Sequence, residues 1–356
     1  MSRFTLDTPP ARIVFGAGSI DSLPEEIDRL GRNRVFLVST PGRSNLADEI
    51  THKLGARIAG TFARAEVHVP EGIASDARDA ANAAHADCIV AVGGGSAIGV
   101  AKAIAVELPV PIVAVPTTYG GSEMTPVWGL TRGGQKETRR DARVQPGVVI
   151  YDPLLTLSLP PKTTACSGLN AIAHCVEALY AADANPLSTA AASTGIRLLA
   201  ESLTALAQSP RDEGNRSTAL QGAWLAGYAL GTVQMGFHHK LSHTLGGSFN
   251  LPHAETHAVL LPYTAAFNRA AASGAMRAAA QSLGATDAPS GIGKLAATIG
   301  APLSLNEIGF REEDIERAAE LAVEKQYPNP RAVTIDGVRE LLAAAFRGDA
   351  GYYVAL

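Results

Sequence analysis

Residues 234 to 262 read QMGFHHKLSHTLGGSFNLPHAETHAVLLP and contain five of the chain's nine histidines within 20 residues. The five are His238, His239, His243, His253 and His257. If a helix runs from Gly222 onward, as AWLAGYALG favours, His239 and His243 lie four residues apart on one face. His238 would then point about 100° away from them. The spacing predicts two imidazoles on a shared helix face.

A second helix is expected to bring a third imidazole to this pair. The glycine pair at 246–247 is predicted to end the first helix, and Pro252 to place His253 at the start of the next. Asn170 and His174 in SGLNAIAHCVEALY repeat the four-residue spacing on another apolar helix. A single histidine on an apolar helix is usually a core residue. The repeat on two helices instead favours a site of nitrogen and oxygen donors.

Composition restricts the class of protein. The chain has 356 residues, 46% hydrophobic and 18% charged, which predicts a globular protein of two domains. With 30 basic and 34 acidic residues there is no cationic surface for nucleic acid. No apolar run reaches the ~18 residues of a membrane span, and the N-terminus shows no signal peptide. Three cysteines without metal-binding spacing fit a reducing compartment, so a cytoplasmic protein is expected.

The order of the predicted elements indicates two domains. Residues 1–155 alternate strand-like runs, from RIVFG to VVIYD, with helical runs, which predicts a parallel sheet covered on both faces. Residues 156–356 show almost no strand pattern and are rich in alanine-containing helical runs. Pro153 and the proline pair at 160–161 mark the boundary. The predicted fold is a Rossmann-like α/β domain followed by an all-helical domain, with a ligand cleft expected between them.

The sequence CIVAVGGGSAIGVAKAIA predicts a nucleotide site. A strand runs into three glycines and a serine before a helix begins, so backbone N–H groups and the positive helix end would meet a pyrophosphate. The next strand leads into PTTYGGSEMTP, whose small hydroxyls follow the carboxyl end of a strand, where α/β sheets bind ligands. The predicted cofactor-binding residues are Gly93, Gly94, Gly95, Ser96, Thr117, Thr118, Ser122, Ser39 and Thr40.

The end of the second predicted strand bears on the choice between NADH and NADPH. It ends at Ser39 and Thr40, so no acid is offered to a ribose 2′-hydroxyl. Arg43 follows closely enough to meet a 2′-phosphate. We therefore expect NADPH to be accepted alongside NADH.

The motifs GGGS, PTTYGGSE, the Asn170/His174 helix and HHKLSHTLGGSFNLPH occur in this order, and with them the chain resembles the iron-containing alcohol dehydrogenase family over nearly its whole length. The resemblance implies NAD(P) in the α/β domain, a divalent metal between helices of the second domain, and a homodimer. The family's ligands, one Asp and three His, correspond to Asn170, His174, His239 and His253. His243 corresponds to a family histidine near the nicotinamide that is implicated in proton transfer.

Two departures from the family pattern bear on metal and substrate. PTTYGGSE is one residue shorter than the family's PTTxGTGSE, and the ligand Asp is replaced by Asn170. A neutral amide is a poor ligand for Fe²⁺ or Zn²⁺, so no metal requirement is predicted. Both departures resemble a branch of the family that reduces the C=C bond of maleylacetate to 3-oxoadipate with NAD(P)H, in the degradation of aromatic compounds.

That reaction suggests roles for the site residues. Imidazoles would stabilise an enolate and protonate its α carbon, with His243 as the first candidate for proton donor and His253 as the second. Lys240 is the first candidate to bind a substrate carboxylate, ahead of the arginine group at 139, 140 and 143. Tyr327 is a candidate to close the site. The predicted catalytic set is His243, His253, His239, His174, Asn170 and Lys240.

Three other functions stay open at this point. A metal-dependent alcohol or polyol dehydrogenase of the same family would regain activity when metal is returned after chelation. A lyase that resembles dehydroquinate synthase would need a complete metal site and several cations for a phosphate-bearing substrate. A nucleotide-binding module without catalysis would leave the five histidines without a role.

Overall fold

The structure, a computed structural model, describes residues 12–133, 135–324 and 327–354, without the side chains of residues 135 and 136. The described residues form two compact units, one ending at Ser158 and the other beginning at Leu159. The strands of the first unit are β1 Arg12–Phe15, β2 Val35–Ser39, β3 Ile58–Phe62, β4 Cys88–Gly93, β5 Ile112–Pro116, β6 Val127–Arg132, β7 Gln135–Arg140 and β8 Val148–Tyr151. Its helices are α1 Leu23–Arg29, α2 Ser44–Leu54, α3 Glu71–Ala83 and α4 Gly95–Glu107.

A parallel sheet forms the centre of this unit. Its strands lie in the order β1-β8-β5-β4-β2-β3, and every neighbouring pair is parallel. Strands β2, β4, β5 and β8 are buried at every residue, as apolar runs covered on both faces require. In β4, Ile89 and Ala91 pack with α3 and α4, whereas Val90 and Val92 pack with α1 and α2. The predicted sheet with helices on both faces is confirmed.

Two details of the first unit differ from the predictions. The run GTFARAEVHV at 60–69 is predicted as a strand, but β3 ends at Phe62. Near the end of this run, His68 and Val69 adopt φ angles of 63° and 51°, which a strand cannot contain. Strands β6 and β7 form an antiparallel hairpin that the sequence did not indicate. Strand β7 lacks the alternation of apolar and polar residues by which a strand is predicted, because residues such as Arg139 and Arg140 are charged and exposed.

The described residues of the second unit form helices joined by loops, with no strand among them, as predicted. Helix α5 is buried at every residue from Thr164 to Ala178, and it packs against α6, α7 and α9. None of the described helices has both the length and the apolar composition needed to cross a bilayer. The helices of this unit are α5 Pro161–Tyr180, α6 Pro186–Gln208, α7 Glu213–Thr232, α8 Phe237–Phe249, α9 His253–Asn268, α10 Ser273–Leu283, α11 Ala288–Thr298, α12 Ile315–Val323 and α13 Ile335–Arg347.

The segment between α7 and α9 corrects one prediction and agrees with another. A single helix from Gly222 through the histidines was wrong, because α7 ends at Thr232 and α8 begins at Phe237. The glycine pair at 246–247 lies inside α8, which instead ends at Phe249. The cap residue Asn250 has φ 55°, a left-handed conformation that asparagine tolerates. Helix α9 begins at His253 after Pro252, as predicted.

Candidate active site

Five imidazoles from three helices pack together in the second unit. Helix α5 carries His174, α8 carries His239 and His243, and α9 carries His253 and His257. Ring centroids are 4.8 Å apart for His174 and His239, and 5.8 Å apart for His243 and His253. His257 lies within 6.2 Å of each of the other four rings. The sequence had assigned no role to this central ring.

A buried carboxylate fixes the position of His239. Glu177 accepts a hydrogen bond from Nδ1 of His239 at 2.5 Å and from the backbone N–H groups of Gly236 and His238 at 3.1 and 2.8 Å. These N–H groups belong to the first turn of α8, where a helix has unsatisfied donors and a positive partial charge. Gly236 permits this approach, because a Cβ there would lie 2.7 Å from the carbonyl oxygen of Pro328.

Glu177 is an anion in this environment. Burial by itself raises the pKa of Glu177, but the charge and hydrogen bond of His239, helped by His238, lower the pKa to about 2. Glu177 is not among the residues predicted from the sequence. It lies three residues after His174 and seven after Asn170, on the same face of α5. Three polar residues on one face of an otherwise apolar helix are the sequence feature that could have indicated Glu177.

The bond to Glu177 determines what the other side of His239 can do. Nδ1 of His239 donates to the carboxylate, and Nε2 lies 2.7 Å from Nδ1 of His174. There Nε2 of a neutral His239 ring accepts a hydrogen bond from Nδ1 of His174, and Nε2 of a cationic His239 ring donates one to it. In both cases Nε2 of His239 is committed to His174.

The residues that correspond to the family's metal ligands form a weaker donor set than one Asp and three His. Nε2 of His239 and Nδ1 of His174 are 2.7 Å apart and hydrogen-bonded to each other. Two ligands of a tetrahedral ion bound at 2.0–2.1 Å lie ~3.3 Å apart, so a metal ion here would have to replace this hydrogen bond. Asn170 is buried, and its Oδ1 atom has no hydrogen-bond partner among the described residues. That oxygen could contact a cation, but it brings no negative charge.

A second chain of hydrogen bonds fixes the protons of His238 and His257. The hydroxyl of Thr264 donates to the carbonyl groups of Leu260 and Leu261 at 3.1 and 3.2 Å, so its oxygen accepts from Nδ1 of His238 at 2.8 Å. Burial lowers the pKa of His238 to about 3 and lowers the pKa of His257 well below its usual value. Nε2 of neutral His238 therefore accepts from Nδ1 of His257 at 2.9 Å.

The remaining predicted catalytic residues occupy different positions. His243 and His253 are half-buried with stacked rings, 22° from coplanar, at the more open side of the cluster. Lys240 is half-buried on α8, about 100° around the helix from His239. Tyr327 does not close the cluster, since its hydroxyl donates to the carbonyl of Ala322 and its ring stacks on Phe237.

The predicted nucleotide residues converge at the carboxyl ends of three neighbouring strands. A Cβ on Gly94 would lie 2.9 Å from Oγ1 of Thr118, and one on Gly93 would lie 3.9 Å from Cγ2 of Thr40. Gly95 and Ser96 form the accessible first turn of α4. Ser39, at the end of β2, is buried beside them. This edge of the sheet presents backbone N–H groups at a helix N-terminus, where phosphates bind.

The hydroxyl residues after β5 divide into two groups. Thr117 is fully buried, and its Oγ1 atom has no partner among the described residues. Ser122 and Thr125 belong to a turn that holds the buried ammonium of Lys102. Its Nζ atom donates to the carbonyl groups of Ser122, Thr125 and Val127 at 2.6, 2.7 and 2.8 Å. The role of Ser122 in this structure is therefore to help fix the loop.

The arginines selected from the sequence lie in the first unit. Arg43 follows β2, and its Nη1 atom donates to Oγ of Ser158 at 2.8 Å. Arg139 and Arg143 are exposed and pair with neighbouring acids, Glu137 at 3.4 Å and Asp141 at 2.6 Å. Such pairs are typical of a solvated surface.

Comparison with known proteins identifies the family. Residues 10–153 match the model of the iron-containing alcohol dehydrogenases, and residues 164–346 match that of the C-terminal part of the Fe-containing alcohol dehydrogenase family. The maleylacetate reductase of Burkholderia cepacia is 51% identical over 98% of this chain and 99% of its own length. The crystal structure of the maleylacetate reductase from Agrobacterium tumefaciens has a TM-score of 0.93 at 46% identity, covering 98% of this chain and 99% of that one. A 1,3-propanediol oxidoreductase has a TM-score of 0.91 at 30% identity, covering 97% and 100%.

The chain belongs to the iron-containing alcohol dehydrogenase family, as its sequence motifs had indicated. It is an oxidoreductase that uses a nicotinamide cofactor. The two relatives above that it matches at 51% and 46% identity both carry the name maleylacetate reductase.

Replacing Glu177 with glutamine tests whether its carboxylate stabilises the first turn of α8. We expect Glu177→Gln to lower the free energy of unfolding by about 3 kcal/mol, because the anion that accepts several buried N–H groups is lost. Urea unfolding measures the change. Glu340→Gln, at an exposed position of α13, is the matched control and should change it by less than about 0.5 kcal/mol. A Glu177→Gln loss as small as the control's would contradict the assigned role.

Proposed function

We propose that the protein reduces the C=C bond of maleylacetate with NADH or NADPH to give 3-oxoadipate. The observation that carries the proposal is the likeness to maleylacetate reductases along nearly the whole chain, at 51% identity for one of them. The imidazole cluster supports the proposal, since it offers proton donors and acceptors in a site largely shielded from water.

The reaction has two bond-forming steps. Hydride from the reduced nicotinamide adds to the alkene carbon β to the ketone, the C=C π electrons shift toward the ketone, and an enolate forms. A proton is then added to the α carbon, and the ketone is restored. Each turnover consumes one reduced nicotinamide and one proton, and it needs a hydrogen-bond donor for the enolate oxygen and an acid for the α carbon.

We assign the acid role to His243, with His253 as the second candidate. Both rings are half-buried, so they can exchange protons with solvent between turnovers, whereas His238 and His257 are fully buried. His239, held by Glu177, orients His174 through their mutual hydrogen bond. We assign the Nε2–H group of His174 to stabilise the enolate oxygen, in the state in which His239 donates to Nδ1 of His174. Lys240 is the candidate cation for a substrate carboxylate.

We further propose that turnover requires no resident metal. The proposal rests on the neutral amide of Asn170 and on the commitment of His239 Nε2 to His174. One observation favours the alternative of a metal-dependent alcohol dehydrogenase: the buried Oδ1 atom of Asn170 has no partner among the described residues. Location in the cytoplasm and assembly as a homodimer stay predictions.

Chelation separates the two candidate functions. Protein dialysed against EDTA and checked for residual metal by elemental analysis is expected to oxidise NADH with maleylacetate at the rate of untreated protein. The loss of NADH absorbance in the near ultraviolet measures the rate. Loss of activity that Fe²⁺ or Zn²⁺ restores would instead favour metal-dependent reduction of simple aldehydes and ketones.

Substitution of His243 tests the proton donor. His243→Asn should lower kcat with maleylacetate by about 10²–10⁴ and leave KM within a few-fold, because the amide cannot protonate carbon. His52→Asn, at an exposed position of α2, is the control and should leave kcat unchanged. If His243→Asn keeps half of the wild-type kcat, the acid is another residue, and His253→Asn is the next variant.

The residues after β2 predict the choice of nicotinamide. We expect kcat/KM for NADPH within about tenfold of that for NADH, because no acid repels a 2′-phosphate there. Arg43→Ala should lower kcat/KM for NADPH about tenfold more than for NADH, since one charged hydrogen bond to the phosphate is lost. Arg57→Ala, in the same unit, should affect both alike. A strict preference of the wild type for NADH would contradict this assignment.

A further inference from the structure

Nε2 of His257 carries a lone pair that accepts no hydrogen bond from the described residues. Its Nδ1 proton is donated to His238, so its Nε2 atom is an acceptor. That atom is buried and has no hydrogen-bond partner among the described residues. An unsatisfied buried acceptor destabilises the folded protein. The hydrogen-bond chain from Thr264 prevents the ring from adopting the other tautomer, because His238 offers only a lone pair to it.

Two further imidazoles, His243 and His253, lie close to the His257 ring, with ring centroids 6.2 and 4.5 Å from its own. Ligand nitrogens of His243, His253 and His257 lie within 4.8 Å of one another. A tetrahedral Zn²⁺ site requires ligand nitrogens ~3.3 Å apart, so the three atoms must approach by at most about 1.5 Å. His243 and His253 are half-buried, so rotation of their side chains can supply this movement, while His257 remains fixed.

We propose that His243, His253 and His257 form a binding site for a late first-row metal ion such as Zn²⁺. Three neutral imidazoles select such ions over Mg²⁺ or Ca²⁺, and a water molecule would complete a tetrahedron. The site shares only His253 with the set that corresponds to the family's metal ligands. It replaces an amide and two mutually bonded imidazoles with His243 and with His257, whose Nε2 atom is buried without a hydrogen-bond partner among the described residues.

A bound metal ion would inhibit rather than support the proposed reaction. The ion would occupy the lone pairs of His243 and His253 and so remove both candidate proton donors. This consequence rests on the proposed function, whereas the binding of the ion does not. Metal binding is therefore measured directly, without turnover.

Cobalt(II) reports both binding and geometry, since its visible spectrum differs between four-coordinate and octahedral sites. Wild-type protein stripped with EDTA and titrated with Co²⁺ should bind one ion per chain with a four-coordinate spectrum. His257→Asn should weaken binding at least tenfold, because the amide can still donate to His238 but presents no Nε2. His174→Asn, the control for the family's ligand set, should leave the affinity within about twofold.

Either of two outcomes would contradict the proposed metal site. The first is that the wild type does not bind Co²⁺, and the second is that binding persists in His257→Asn and disappears in His174→Asn. Circular dichroism checks that each variant is folded. If His257→Asn does not fold, His243→Asn decides in its place, because it removes a half-buried ligand of the proposed site and none of the family's set. Retained affinity in that variant would equally reject the site.

Discussion

The contact between the carboxylate of Glu177 and the first turn of α8 determines the arrangement of the candidate active site. It satisfies N–H groups that the helix itself leaves unpaired, and it places a negative charge where the helix dipole is positive. The same carboxylate holds Nδ1 of His239, and His239 holds His174 in turn. Helix position and ring orientation thus have a single origin.

Two separate hydrogen-bond chains set the protons of this cluster. One begins at a buried anion and runs through His239 to His174, and the other begins at a backbone carbonyl and runs through Thr264 and His238 to His257. The first commits both of its rings to each other. The second ends at the buried Nε2 atom of His257, which has no hydrogen-bond partner among the described residues. This difference in hydrogen bonding explains why the His174–His239 pair and His257 are suited to different chemistry.

Sequence periodicity predicted the sheet, the helical unit and the paired spacing of Asn170 with His174 and of His239 with His243, because these follow from local repeats. It did not predict the break before α8, since that depends on a capping group from α5 rather than on a local residue. Nor did it assign roles to Glu177 or His257. An acid and a histidine among apolar neighbours acquire function only through partners that are distant in sequence.

The ammonium of Lys102 joins α4 to the turn that follows β5 through three backbone carbonyl groups. Both segments border the predicted phosphate site, so their backbone freedom is already lost in the folded chain. A nucleotide that binds there meets ordered N–H groups and loses little of its affinity to loop ordering. The conformational entropy of the site is therefore lost when the chain folds, through Lys102, a residue that need not contact the ligand.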